Sequence, residues 1–153
     1  MIDHSQLHPY HHLVEQWRDL GCYCYFASGS DQCAWRFYGS RDGYSRFLSH
    51  IDSYITDPRN DIISEHEHFG PYMDLKIMTA DKPRISEDYI AGTLEDLAAF
   101  RNLIEERLTS VNTGGSFCIN SEYGIDNTAG ALFFVMDDGF DPASMDNFLF
   151  PGK

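Results

Sequence analysis

Glu65-His66-Glu67-His68 sets two carboxylates beside two imidazoles, a dense bunching of side chains capable of chemistry. In an extended segment His66 and His68 project to one side and Glu65 and Glu67 to the other. Two imidazoles so placed can hold a divalent metal if a third ligand arrives from elsewhere. In a helix the same pair would diverge by about 200°, a poor chelate. The metalloprotease pattern His-Glu-x-x-His fails, because Gly70 stands where its second histidine belongs. The run therefore offers a metal site on His66 and His68, acid–base work, or polar contacts to loop backbone and to a partner. Contacts are the expected use, with no cofactor, no resident metal and no catalytic residue.

Other clusters offer less. His4, His8 and His12 share one helix face only if a helix starts early, which Pro9 opposes. Asp137-Asp138-Gly139-Phe140-Asp141 with Asp146 is an acidic turn, but it lacks the alternating ligands and distal Glu of a calcium loop. A Gly-x-Ser-x-Gly elbow, a phosphate loop and a dinucleotide fingerprint are all missing from the chain. The four cysteines, Cys22, Cys24, Cys33 and Cys118, form no Cys-x-x-Cys pair and read as structural thiols.

The elements that must position these residues follow from periodicity. His8 to Leu20 reads as a helix closed by Gly21, with Leu13, Trp17 and Leu20 as its buried stripe. Cys22 to Ala27 and Cys33 to Tyr38 alternate as strands and form a hairpin. Asp42 or Ser45 caps a second helix that runs to Ile55 and ends before Pro58. Tyr72 to Met78 alternates as a strand. Thr93 caps a third helix whose apolar face runs from Leu94 to Leu108, and Glu95 and Asp96 favour its first turn. Phe117 to Asn120 and Ala131 to Met136 are the last strands. No internal repeat is visible in the sequence. The order α, β-β, α, β, α, β-β implies an α+β fold: one domain, residues 1–153, with a largely antiparallel sheet and helices packed on one face. Residues 1–20 form its N-terminal helix and residues 137–153 an acidic, irregular tail.

Whole-chain properties narrow the function. A chain of 153 residues with 42% hydrophobic and 14% aromatic residues builds a real core. No apolar run reaches the roughly 20 residues of a membrane span, and Met1 to His12 lacks the pattern of a secretory signal, so a cytoplasmic location is expected. Against 11 Lys and Arg stand 24 Asp and Glu, a formal charge of −13. Such a chain is repelled by phosphate backbones and attracted to basic surfaces. No nucleic acid and no membrane is expected among its partners. The oligomeric state is not legible.

Two stretches carry a resemblance. One is Ser64 to Tyr72 (Ser-Glu-His-Glu-His-Phe-Gly-Pro-Tyr) with Asp74-Leu75-Lys76-Ile77-Met78-Thr79. The other is Ile90 to Leu97 (Ile-Ala-Gly-Thr-Leu-Glu-Asp-Leu), followed downstream by Asp138 to Asp146. Over roughly residues 33–146 the chain resembles small bacterial immunity proteins of polymorphic-toxin and contact-dependent inhibition systems. The resemblance implies a non-enzymatic inhibitor that binds one cognate toxin domain, a basic nuclease being a frequent case. The acidic and loop residues expected to meet such a partner are Glu65, Glu67, Tyr72, Asp137, Asp138 and Asp141. Two other readings remain open from the residues: a metal-binding protein or metal-dependent enzyme built on His66 and His68, and a structural or adaptor subunit that associates through its aromatic surface.

Overall fold

Two glycines decide how the first two helices meet. The computed structural model describes residues 10–27, 34–73 and 75–150. Helix α1 (His11–Leu20) ends at Gly21, whose φ of 93° is left-handed and whose N–H bonds to the Trp17 carbonyl at 3.0 Å. A Cβ on Gly21 would stand 2.0 Å from the carbonyl oxygen of Gly43. Only glycine satisfies both the angle and the approach. Gly43 lies in the first turn of helix α2 (Arg41–Ile55) and donates its N–H to the Ser40 hydroxyl at 3.0 Å. The cap is thus Ser40 rather than Asp42 or Ser45, because Ser40 is the residue with extended backbone at the helix entrance. His4 and His8 lie outside the described residues.

The strands are β1 (Tyr23–Phe26), β2 (Trp35–Gly39), β3 (His66–Phe69), β4 (Leu75–Thr79), β5 (Arg84–Ile85), β6 (Tyr89–Gly92), β7 (Ser116–Ile119) and β8 (Ala131–Val135). Helix α3 (Leu94–Ser110) follows β6 and carries the expected cap as a full capping box: Asp96 N–H to Thr93 Oγ1 and Thr93 N–H to Asp96 Oδ2, each at 3.0 Å. The α+β class stands. The single sheet is corrected: there are two four-stranded sheets, β1-β2-β8-β7 and β3-β4-β6-β5. In each, the outer pairs are antiparallel and the central pair, β2 with β8 or β4 with β6, is parallel. The β1–β2 hairpin is local and legible, but which hairpins join, and in what sense, is decided by long-range packing.

The two sheets expose a repeat that the sequence hides. The first half runs β1-β2-α2-β3-β4 and the second β5-β6-α3-β7-β8. Exchanging the halves converts the strand order of one sheet into that of the other. Sequence traces of it survive only where geometry is strict. Gly39-Ser40 and Gly92-Thr93 end a strand and cap a helix, and Phe47 and Ile51 of α2 match Phe100 and Ile104 of α3, all four fully buried. Each half gives one hairpin to each sheet, so neither sheet is complete without both halves.

The core lies where the sheets meet the helices. Phe47 packs its ring 5.5 Å from Phe37 of the first sheet and 6.2 Å from Phe69 of the second. Phe37 stacks on Phe133 at 4.5 Å, and the Trp35 indole donates to the Ser86 carbonyl at 2.7 Å. The Arg41 guanidinium donates to the carbonyls of Leu108 and Val111, tying the start of α2 to the end of α3. The expectation of four structural thiols is also corrected. Cys22 and Cys24 are free and buried, and burial pushes the Cys22 thiol well up, but Cys118 is disulfide-bonded. Cys33 lies outside the described residues. Among the described residues, no helix is long and apolar enough to cross a membrane.

Candidate functional site

The Glu-His run forms β3, an edge strand paired on one side with β4 in the register His66–Met78, Glu67–Ile77, His68–Lys76 and Phe69–Leu75. Its entrance is a bulge. Ser64 N–H donates to the Thr79 carbonyl and Thr79 N–H donates to the Glu65 carbonyl, both at 2.8 Å, so two residues oppose one. Ser64 takes φ 79°, the left-handed angle that glycine normally supplies in such a bulge. The Tyr54 hydroxyl pins the entrance, lying 2.8 Å from both the Glu65 carbonyl and the Thr79 hydroxyl, and burial pushes its pKa up. The strand ends at a turn through Gly70, Pro71 and Tyr72, where Met73 N–H returns to the Gly70 carbonyl at 3.2 Å. Tyr72 and Met73 therefore precede β4 rather than beginning it: Met73 sits at φ 58°, outside any strand.

Alternation along β3 is as the sequence predicts. The His66 and His68 rings lie 5.1 Å apart, edge to face. Each Nδ1 already faces a carbonyl, His66 that of Ser64 at 3.0 Å and His68 that of Met73 at 3.2 Å. Among the described residues, no group of three His, Cys, Asp or Glu side chains is placed to hold a metal ion. Glu67 and His68 instead line a cleft of about 270 Å³ with Gln16, Asp19, Leu20 and His50. His50 Nε2 is held 2.9 Å from the Asp19 carbonyl and 3.4 Å from its carboxylate.

The acidic tail divides by role. Asp137 and Asp138 are both exposed. Asp141 is committed: it caps the 3₁₀ turn Pro142–Met145 by accepting from Ala143 N–H at 3.1 Å, and takes two bonds from the Arg18 guanidinium at 3.2 and 2.9 Å. Those Arg18 bonds hold the Asp141 carboxyl below its ordinary pKa. Asp138 and Asp141 line a separate cleft of about 530 Å³ with Arg18, Arg46 and the entrance of α2. The structure thus does not unite the six expected contact residues into one site. Tyr72 is exposed on its ring, while its hydroxyl donates to Asp146 at 2.5 Å.

Asp146 was read as one more acid of the turn, and it is the hub of the tail. Its buried carboxylate also accepts from the Trp17 indole N–H and from the Phe148 N–H, each at 2.9 Å. Ala143 and Leu149 are buried beside it. Residues 137–150 of the tail are therefore packed against α1, with one 3₁₀ turn at Pro142–Met145 among irregular turns.

Sequence reasoning passed over one feature and left a second, the aromatic surface, without a place in the fold. Ile62 and Ile63, 62% and 60% exposed, precede β3, and Met73, 61% exposed, follows it. Two adjacent β-branched residues with no periodic partner were the available signal. The second feature is a run of aromatic contacts along the half-buried outer face of the first sheet. It passes from Phe134 and Tyr38 (4.6 Å) through Tyr25 and Tyr23 to Trp17 (4.7 Å), Tyr72 and Phe148. Compared with known proteins, the chain matches no family, no curated protein and no solved structure.

Proposed function

We propose that this protein is a non-enzymatic binding protein that neutralises a cognate toxin domain by covering its basic surface, as its resemblance to small bacterial immunity proteins implies. One observation carries the reading, the way charge is distributed. Arg18, Arg46, Arg59, Lys82, Arg101 and Arg107 are each paired with an acid. Glu65, Glu67, Asp137 and Asp138 have no base paired to them among the described residues. These four are thus among the acids behind the net −13 and are free to meet an outside cation. Such a field speeds association with a basic partner and disfavours polyanions.

The test is genetic and then physical. The C-terminal domain of a large secreted protein encoded immediately beside this chain is expressed in cells with and without it. The proposal expects rescue of growth and an isolable one-to-one complex whose on-rate falls steeply with salt. No rescue and no complex would remove it. The aromatic run favours a second reading, a subunit that self-associates through the first sheet. Concentration-dependent sedimentation separates the two, since that reading requires a dimer in the absence of any toxin.

A further inference from the structure

The geometry points to strand addition on β3: its open edge takes an extended segment of a basic protein, with Lys or Arg at two positions, i and i+2, set against Glu65 and Glu67. This inference rests on the proposed function for the identity of the partner, and on the structure for the place and the mode of binding.

Four observations converge on that edge. First, the backbone is available. Thr79 N–H bonds to the Glu65 carbonyl, in phase with the Glu67–Ile77 pair, so ladder bonds to β4 fall at Glu65 and Glu67. In an antiparallel ladder the intervening residues then turn their N–H and C=O outward, here His66 and His68. Second, every residue from Asp61 to His68 is exposed, whereas the edge strands β1 and β7 are largely covered and β5 is two residues long. Third, the strand is flanked by the exposed apolar side chains of Ile62, Ile63, Tyr72 and Met73. Exposed apolar groups at both ends of a polar strand are what a partner's side chains would cover. Fourth, Ser64 and Met73, the non-glycine residues at positive φ among those described, bracket β3. Such strained backbone is found where a segment is held ready for a ligand.

The charge selects the occupant. Glu65 and Glu67 are exposed on one face, and the cleft beside Glu67 adds Asp19 and contains no Lys or Arg in its lining. Cross-strand neighbours of like charge are destabilising and those of opposite charge favourable, so an acidic strand is rejected and a basic one accepted. The four residues of β3 offer two outward donors and two outward acceptors, enough for a short strand segment rather than a whole sheet. The opposing physical account is protective: charged side chains and a bulge on an edge strand also serve to prevent pairing. The two accounts make opposite predictions for a matched peptide.

The experiment uses the intact chain and three synthetic peptides. One is Val-Lys-Thr-Lys-Val, one has both lysines replaced by glutamate, and one keeps the lysines but carries N-methyl groups on alternate amides so that its pairing edge cannot donate. Amide hydrogen exchange is followed residue by residue at millimolar peptide. Strand addition expects the His66 and His68 amides to slow by about tenfold or more with the first peptide only. It also expects Glu65→Lys/Glu67→Lys to abolish that slowing and Asp137→Lys/Asp138→Lys to leave it intact. No slowing at these two amides, or equal slowing by the N-methylated peptide, overturns the inference and supports the protective account. The parent proposal fails separately. Rescue by this chain without peptide protection leaves the toxin reading standing with its interface elsewhere, and protection without rescue leaves the edge site standing without the toxin.

Discussion

Asp141 shows how one residue can satisfy a motif reading and disappoint a functional one. It sits in an acidic turn, yet both carboxylate oxygens are engaged by Arg18 and one also caps the following 3₁₀ turn. The Arg18 guanidinium lowers the Asp141 pKa, with the cap reinforcing it and burial opposing it. A depressed folded pKa favours the ionised form, so its stabilisation is present above the unfolded value of about 3.9 and is lost as pH falls through the lower folded value. The side chain is 36% exposed, so solvent screening limits the pair to about 1 kcal/mol or less. Asp141→Asn keeps a capping oxygen and removes the charge. It should be less stable than the parent at pH 7 by up to about 1 kcal/mol, with the gap closing below about pH 4. Urea midpoints at pH 7, 5 and 3 measure this; a gap that is constant across the range would show that the Arg18 pair contributes nothing.

At the scale of elements, the tail is held by a polar hub rather than by apolar area alone. Asp146 joins Trp17 of α1, Tyr72 of the β3–β4 turn and its own 3₁₀ turn through one carboxylate. Asp146→Ala removes three bonds to a charged group and strands the buried indole N–H, a loss of about 3 kcal/mol. Tyr72→Phe removes one donor and should cost about 1 kcal/mol. Equilibrium unfolding of both variants, with limited proteolysis of the tail, distinguishes a hub from an incidental contact: equal small losses would demote Asp146. None of this was visible in the sequence, because a buried acid and a solvated one look alike until a distant indole arrives. What was legible was local. The stripes of α1 and α2, the Thr93 cap and the alternation of β2 each depend on residues a few positions apart, and each is present. Of the missed strands β3, β5 and β6, the last two fail that test for physical reasons. Arg84–Ile85 is too short to show a period, and Tyr89–Gly92 is buried at Ile90, Ala91 and Gly92 in succession, as suits a strand in the middle of a sheet. The candidate site was legible in composition and in facing, with Glu65 and Glu67 opposite His66 and His68. That β3 is an edge, and that Ile62 and Ile63 lie exposed beside it, depends on the joining of distant hairpins.

At the scale of the molecule, the exchange of hairpins between halves governs cooperativity. Residues before the β4–β5 connection supply β1 and β2 to one sheet and β3 and β4 to the other, and the second half supplies the remainder of each. Alone, the first half would hold two separate hairpins and the helices α1 and α2, with the central edges of β2 and β4 unpaired and Phe37 stripped of Phe133. Isolated hairpins are marginal in water, and an exposed central strand invites aggregation. The intact chain should therefore unfold in one transition, with no state in which one half stays native. Asp81 and Lys82 are exposed in the connection, which makes it the place to divide the chain. Fragments 1–81 and 82–153, prepared separately, should each lack a cooperative thermal transition and near-ultraviolet circular dichroism. Mixed from denaturant, they should regain both, because the parallel pairs β2–β8 and β4–β6 form only between them. A fragment that melts cooperatively by itself would mean that one half is an autonomous unit, and the interlocked sheets would then be a docking of two finished parts rather than a single act of folding.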